Sequence, residues 1–308
     1  MWTVCKGTAA DIEGWMQVVE TVQHTLPGLT TEAELQEHRQ TVLRFMARQT
    51  ALCAVQDDQL GGVLLYSPKR SMICCLAVAP EHRRQGLASA LLAEALKRMD
   101  STRDVMVRTF RESDPQGAAP RALYQRFRFL PGELRKDNGA PTQEFVRLRT
   151  PAALEGEMVR LEPLTLQSCH AVMRQYVSDP QMTDVPYVYT PEGCDRYYIT
   201  RRDDPARLTF AICVHSQPIG TIYLKAIDPL EKCATLSIAL VNDAVKGHGY
   251  GTDAERTLLR YAFGELGLCA VHADAVHRNL RSQHVLEKVG FVRTHDDEVF
   301  RYYVCKRP

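Results

Sequence analysis

Apolar residues along this chain follow two rhythms, and the switch between them outlines its elements. Short apolar runs read as strands, and apolar residues recurring every three or four positions read as helices. In the first half, residues 51–55, 62–66 and 72–78 read as strands, the first two joined by a turn at Asp57-Asp58. Val105 to Thr109 and Phe145 to Leu148 continue the series. Helical spacing runs from Asp11 to Val22, from Thr31 to Phe45 with Glu34 three residues after the Thr31 cap, and through Tyr124. Pro27-Gly28 breaks the pattern between the first two helices. Beyond Pro80, Leu87, Leu91, Ala95 and Met99 form one stripe with Leu92 and Leu96 beside it, so one helix face belongs to a core.

The second half repeats this order. A strand over Met158 to Leu161 precedes a helix from Thr165 to Tyr176, then come strands over 209–214, 220–226 and 234–241. A helix with Tyr250, Ala254, Leu258 and Ala262 on one face follows, then strand 269–276, helix 280–289 and strand 299–305. Strands alternating with helices predict an α/β chain with a mixed sheet covered by helices in each half.

Two hexapeptides mark the repeat. Arg83-Arg84-Gln85-Gly86-Leu87-Ala88 and Lys246-Gly247-His248-Gly249-Tyr250-Gly251 each follow an apolar strand and open a helix. Gly86 stands 43 residues before Phe129, and Gly249 stands 42 before Phe291. With 308 residues in all, this spacing predicts two domains, 1–149 and 158–308, with residues 150–157 as linker. A glycine-bearing turn at a helix start gathers backbone N–H groups that lack intrahelical partners, and the helix dipole adds to their pull on an anion.

Composition removes several classes. At 45% hydrophobic and 24% charged residues with net charge +1, the chain has neither a basic field for nucleic acid nor an acidic tail. No apolar run approaches the ~18 residues of a membrane span, and the opening Met-Trp-Thr-Val-Cys-Lys lacks the regions of a signal peptide. The expectation is a cytoplasmic protein whose ten cysteines are reduced and mostly buried.

The residues now resemble a known family. An apolar strand, Arg83-x-x-Gly86-x-Ala88 entering a helix, and Tyr124-x-x-x-Arg128-Phe129 on a later helix are similar to the signature of the GNAT superfamily of acyl-CoA-dependent N-acetyltransferases. Arg128 stands where that signature carries glycine. The second half resembles the Rim-type branch, which acetylates ribosomal-protein N-termini, in Val159 to Leu164, in Gly247 to Ala254, in Asn279-x-x-Ser282 and in Glu287 to Phe291. There Lys246 replaces the Gln or Arg of the turn, and Leu286 stands where the first half has Tyr124.

The resemblance implies acetyl-CoA as co-substrate, no metal, and a small-molecule or peptide amine as acceptor. Residues 83–88 and 246–251 would hold the pyrophosphate through backbone N–H groups, with Arg83 or Arg84 adding charge-assisted bonds. The strand end Leu76, Ala77 and Val78 would pair with the amide-rich arm as an added strand, and a backbone N–H near Val78 would polarise the thioester oxygen. Tyr124 would protonate the leaving sulfur; the competing reading is a ring packed on the sheet. Ser282 is the hydroxyl available to the second half, or else a local cap of its helix. Asn279 would hydrogen-bond the cofactor arm.

No general base stands out. Glu32, Glu34, Glu37, Glu112 and Asp114 read as surface acids, which favours acceptors that shed a proton near pH ~8 over a lysine amine near ~10.4. His272, Asp274 and His277 lack the spacing of a metal set. Cys74-Cys75 read as inert thiols of an apolar strand, and Arg121 to Arg128 as a solvated basic face or a hint of an anionic acceptor. The alternative to a fully catalytic chain is that one unit, the C-terminal one, binds CoA without turnover as a sensor or scaffold.

Overall fold

The computed structural model describes residues 1–26, 29, 31–137, 139–149, 151–180 and 183–308. It separates into two units, Met1–Arg149 and Thr150–Pro308. Pro27 and Gly28 lie outside the described residues. The first unit runs β1 (Thr3–Lys6), α1 (Ile12–Val22), α2 (Glu32–Ala47), β2 (Ala51–Gln56), β3 (Gln59–Ser67), β4 (Met72–Val78), α3 (Leu87–Lys97), β5 (Val105–Phe110), α4 (Ala118–Arg126), β6 (Leu130–Asp137) and β7 (Ala140–Arg147). The second runs β8 (Leu154–Glu155), β9 (Arg160–Pro163), α5 (Leu166–Gln175), α6 (Pro191–Asp203), β10 (Leu208–Val214), β11 (Gln217–Asp228), β12 (Cys233–Leu240), α7 (Tyr250–Gly264), β13 (Ala270–Val276), α8 (Leu280–Lys288), β14 (Val292–Asp296) and β15 (Phe300–Lys306).

The sheet orders make the repeat explicit. The first is β1-β2-β3-β4-β5-β7-β6; read from its far end, the second is β8 followed by β9-β10-β11-β12-β13-β15-β14. Both are mixed: β4 pairs with β5 in parallel, as β12 does with β13, among antiparallel neighbours. Even the hairpin chemistry matches. Asp57-Asp58 (φ 49° and 61°) joins β2 to β3, and His215-Ser216 (φ 48° and 64°) joins β10 to β11, the two-residue turn whose twist suits antiparallel strands. Alternation along β2 divides the first unit's apolar residues between two faces. Ala51 and Cys53 join Trp15, Val19 and Val42 under α1 and α2; Leu52 and Ala54 join Leu91, Leu92 and Tyr124 under α3 and α4.

Several elements differ from the reading of the chain. Leu154–Glu155, expected as linker, pairs with β9 and belongs to the second sheet. β14 was not anticipated because its five residues are all exposed and show no apolar alternation. α6 buries only Cys194 and so carries no stripe. β6 includes Pro131 and Gly132 and shifts register there, masking its strand character. Cys5, Cys74 and Cys269 are exposed, so the cysteines are less uniformly buried than expected; all ten are free thiols. No helix among the described residues is long and apolar enough to cross a membrane.

Candidate active site

In the first unit β4 and β5 pair only at Met72–Met106 and Ile73–Val107, then part. One residue too many sits at that point. Leu65 of β3 faces Cys75 while Tyr66 faces Ile73, leaving Cys74 as a bulge. Cys74 is thereby exposed, contrary to its reading as a buried strand thiol, whereas burial holds the Cys75 thiol up at about 12.

Beyond the bulge, Ala79 donates its N–H to Gly61 O at 3.0 Å, which fixes the direction of every backbone group before it. Successive residues turn their N–H and C=O to opposite edges. Ala77 therefore faces β3, and Leu76 and Val78 face the opening left by β5. Among the described residues, two of the three strand-end residues thus have no ladder partner on that side, while Ala77 adds its methyl to the core.

The turn that follows is open. Arg84 (φ 61°) and Gly86 (φ 85°) both occupy the left-handed region, and Gly86 caps α3. A Cβ on Gly86 would meet nothing within 4 Å, so its glycine answers to conformation and not to protein packing. The first bond from within the helix is Ala90 N–H to Gly86 O, which leaves the N–H groups of Leu87, Ala88 and Ser89 without helical acceptors. Arg83 and Arg84 are exposed. Gln85 is held by Trp2, whose Nε1 donates to its Oε1 at 2.9 Å, and the Leu87 side chain is core.

Tyr124, on α4, is 4% exposed and packs against Phe129 (centroids 5.7 Å apart) and Phe145 (6.2 Å). Burial first, and then Cys75 of β4, raises its phenol above the ordinary range, so the hydroxyl stays protonated. Arg121 is no solvated face: its guanidinium donates to the carbonyls of Phe110, Arg111, Glu112 and Asp114 and fixes the loop before α4. Glu34 completes the Thr31 capping box and Asp114 accepts from Gln116 N–H, so neither stands free as a base.

The second unit rebuilds the same parts differently. β12 and β13 pair over Cys233–Thr235 and Ala270–His272 and then part. The extra residue lies on β11, beside Ala226 (φ 50°), and β12 itself is regular. Gly247 (φ 82°) and Gly249 (φ 87°) match Arg84 and Gly86, and Asp253 N–H to Gly249 O leaves the N–H groups of Tyr250, Gly251 and Thr252 without helical acceptors. The turn is more encumbered. Lys246 Nζ lies 2.5 Å from Asp179 and 3.0 Å from Asp243, and Asp243 also takes Arg281 at 3.1 Å. His248 reaches back to Ala244 O, and a Cβ on Gly249 would lie 3.1 Å from Met158 Cε. Leu286 is the seventh residue of α8, as Tyr124 is of α4, and is 2% exposed. Asn279, not Ser282, supplies the cap: its Oδ1 accepts Ser282 N–H at 3.0 Å.

One polar chain on the α5–α6 side escaped the sequence reading. His170 Nε2 lies 2.9 Å from Asp195 Oδ1, its Nδ1 lies 2.9 Å from the Tyr189 hydroxyl, and Arg174 Nε donates to that hydroxyl at 3.2 Å. The partners are 19 and 25 residues apart, with no periodic relation, and Asp195 sits on the unanticipated helix. Only the fold could reveal it.

Comparison with known proteins decides the family. Residues 15–129 match the acetyltransferase (GNAT) family, and residues 159–292 match the acetyltransferase (GNAT) domain. The chain belongs to the GNAT acetyltransferases. A curated relative, Probable N-acetyltransferase YjcK of Bacillus subtilis (strain 168), is 29% identical over 149 residues, spanning 45% of this chain and 82% of that protein. Among solved structures, a GNAT-family acetyltransferase from Bacillus anthracis is 20% identical with a TM-score of 0.43, covering 50% of this chain and 98% of that one. A chimera of spermidine N-acetyltransferase SpeG from Vibrio cholerae and hSSAT is 17% identical with a TM-score of 0.44, covering 49% and 96%. The chain is thus two GNAT domains in tandem, with no group of three or more His, Cys, Asp or Glu among the described residues placed to hold a metal.

Proposed function

We propose that this protein transfers the acetyl group of acetyl-CoA directly to a primary amine of a small molecule, amino acid or peptide N-terminus, and that the first unit carries most of the turnover. The observation behind this is the convergence of three features in that unit: the backbone of Leu76 and Val78 facing the β4–β5 opening, the exposed turn from Arg83 to Gly86 at the start of α3, and the protonated hydroxyl of Tyr124. The strand edge suits the amide-rich arm of the cofactor, and the turn suits its pyrophosphate. The Val78 N–H would polarise the thioester oxygen, and Tyr124 would supply the proton that the departing sulfur needs.

The second reading, that the C-terminal unit binds CoA with little or no turnover, is favoured by Leu286, which can donate nothing, and by a turn lysine already satisfied by two carboxylates. In this unit Ser282 is the remaining hydroxyl candidate and Asn279 a ligand of the cofactor arm. Steady-state assays of CoA release over a panel of amines, comparing Tyr124→Phe with Ser282→Ala, test the division. A large loss in Tyr124→Phe alone supports it; a large loss in Ser282→Ala alone reverses it.

A further inference from the structure

The Asp195–His170–Tyr189 chain has a defined direction. A carboxylate can only accept, so in the neutral ring Asp195 places the proton of His170 on Nε2, and Nδ1 is left as the acceptor for the Tyr189 O–H. The phenol oxygen takes Arg174 Nε–H on one side and keeps acceptor capacity on the other. His170 is largely buried, its side chain 18% exposed, whereas Asp195 is 48% exposed. The imidazole contacts Asp195 from α6 and Tyr189 from the loop between α5 and α6, Arg174 of α5 bonds Tyr189 in turn, and Cys169, Cys194, Tyr187 and Arg201 interact with members of this group.

The chain also lies near the opening of the second sheet. Val177, just past α5, donates its N–H to Val241 O at 2.7 Å, at the end of β12 where β13 has already parted from it. Tyr189 packs against the apolar cluster that contains Val241, Val172 and Met173. Arg174 is exposed, and among the described residues its two Nη groups have no acceptor. A planar guanidinium presented this way fits a carboxylate.

We propose that the second unit has its own acceptor site for amines that carry a neighbouring carboxylate, amino acids being the simplest case. Arg174 binds the carboxylate, and Tyr189, relayed through His170 to Asp195, takes the ammonium proton. The inference rests on the tandem acetyltransferase reading and gives the second unit a role beyond cofactor binding. A carboxylate beside an amine raises its basicity, so such acceptors need a proton acceptor more than a peptide N-terminus does. In the step, the ammonium gives one proton to the Tyr189 oxygen as the phenolic proton moves to His170 Nδ1. The Nε2 proton stays on the imidazolium beside Asp195. The neutral nitrogen then bonds to the thioester carbon, the C–S bond breaks, and the second nitrogen proton leaves with the thiolate as thiol. His170 returns its proton to water.

The test uses the full chain carrying Tyr124→Phe, so that residual turnover reads the second unit. Amino acids are compared with their carboxamides, with melting temperature recorded for every variant. Arg174→Gln is expected to raise KM for amino acids about tenfold and leave their carboxamides unchanged. Tyr189→Phe is expected to lower kcat at neutral pH about 10²-fold with KM for acetyl-CoA unchanged. Asp195→Asn is expected to move the acidic limb of the rate profile, because an amide can pin the other tautomer. A merely structural clasp between α5 and α6 predicts lowered melting temperatures with unmoved KM ratios and an unmoved pH profile, and that result overturns the proposal. So does a Tyr124→Phe chain with no turnover on any amino acid while the unmutated chain acetylates one. An unmutated chain that acetylates no amine overturns it together with the reading beneath it.

Discussion

Arg128 and Gly290 hold the same post in the two units. Each follows the last turn of its helix in the left-handed region, at φ 67° and 103°, and the next residue, Phe129 or Phe291, donates its N–H back to Tyr124 or Leu286. Such a C-terminal turn favours glycine because a Cβ crowds the carbonyl at positive φ, at about 1 kcal/mol or more. Arg128→Gly should stabilise the first unit by up to about 1 kcal/mol, and Gly290→Ala should cost the second at least as much. A Cβ at 290 would stand 3.9 Å from Cys305 Sγ, so conformation and not crowding is at stake. Urea midpoints that shift in these opposite senses with unchanged slope would confirm it.

Gly86 tests the cofactor turn. Its missing Cβ faces open space, so Gly86→Val acts through φ 85° and through the approach of a ligand. Calorimetry with CoA should fall from about two sites per chain to about one, with the second unit's site retained. Unchanged stoichiometry and affinity would place the pyrophosphate elsewhere.

Tyr124 offers a pH argument. Its raised phenol keeps the proton-bound form present as pH climbs, and that form is lost only above the ordinary ~10 of tyrosine. The first unit's kcat should therefore show no fall between about pH 7 and 9 owing to this acid. Tyr124→Phe should lower it about 10²-fold throughout that range with CoA affinity retained. A basic limb below about pH 9 that vanishes in the mutant would contradict the raised value.

Glu255 lies on α7, 1% exposed, with Oε2 unpartnered among the described residues. Burial pushes its carboxyl up to about 8. The folded chain thus holds a proton that the unfolded chain releases near ~4.3, so this contribution to stability is full below that value and lost as pH rises through about 8. Unfolding free energy of the second unit should decline across that window by at most about 1.4 kcal/mol per pH unit from this group. Glu255→Gln should flatten the decline and raise the melting temperature at pH 8.

Much of this was legible in the chain because it rests on local rules. The Thr31 cap, the Asp57-Asp58 turn, the stripe from Leu87 to Met99 and the paired Gly86 and Gly249 each follow from neighbours a few residues apart. Edge strand β14 and the weakly apolar α6 were not legible, since neither buries enough to leave a period. The capture of Lys246 by Asp179 joins residues 67 apart, and the His170 chain depends on a helix without a stripe. Contacts of that kind are products of packing, and no spacing announces them.

Asp253 sits in the first turn of α7, 8% exposed, and its carboxylate accepts the N–H groups of Glu157, Met158 and Val159 at 3.1, 2.7 and 2.9 Å. Arg260, two turns on, donates to Glu155 O at 2.6 Å. The seam where one would think to divide the gene is therefore sewn into the second unit. An expression boundary drawn at residue 158 would delete β8 and one of the three donors, and would turn a second into a charged, fraying amine. A boundary ahead of Leu154 keeps the stitch whole.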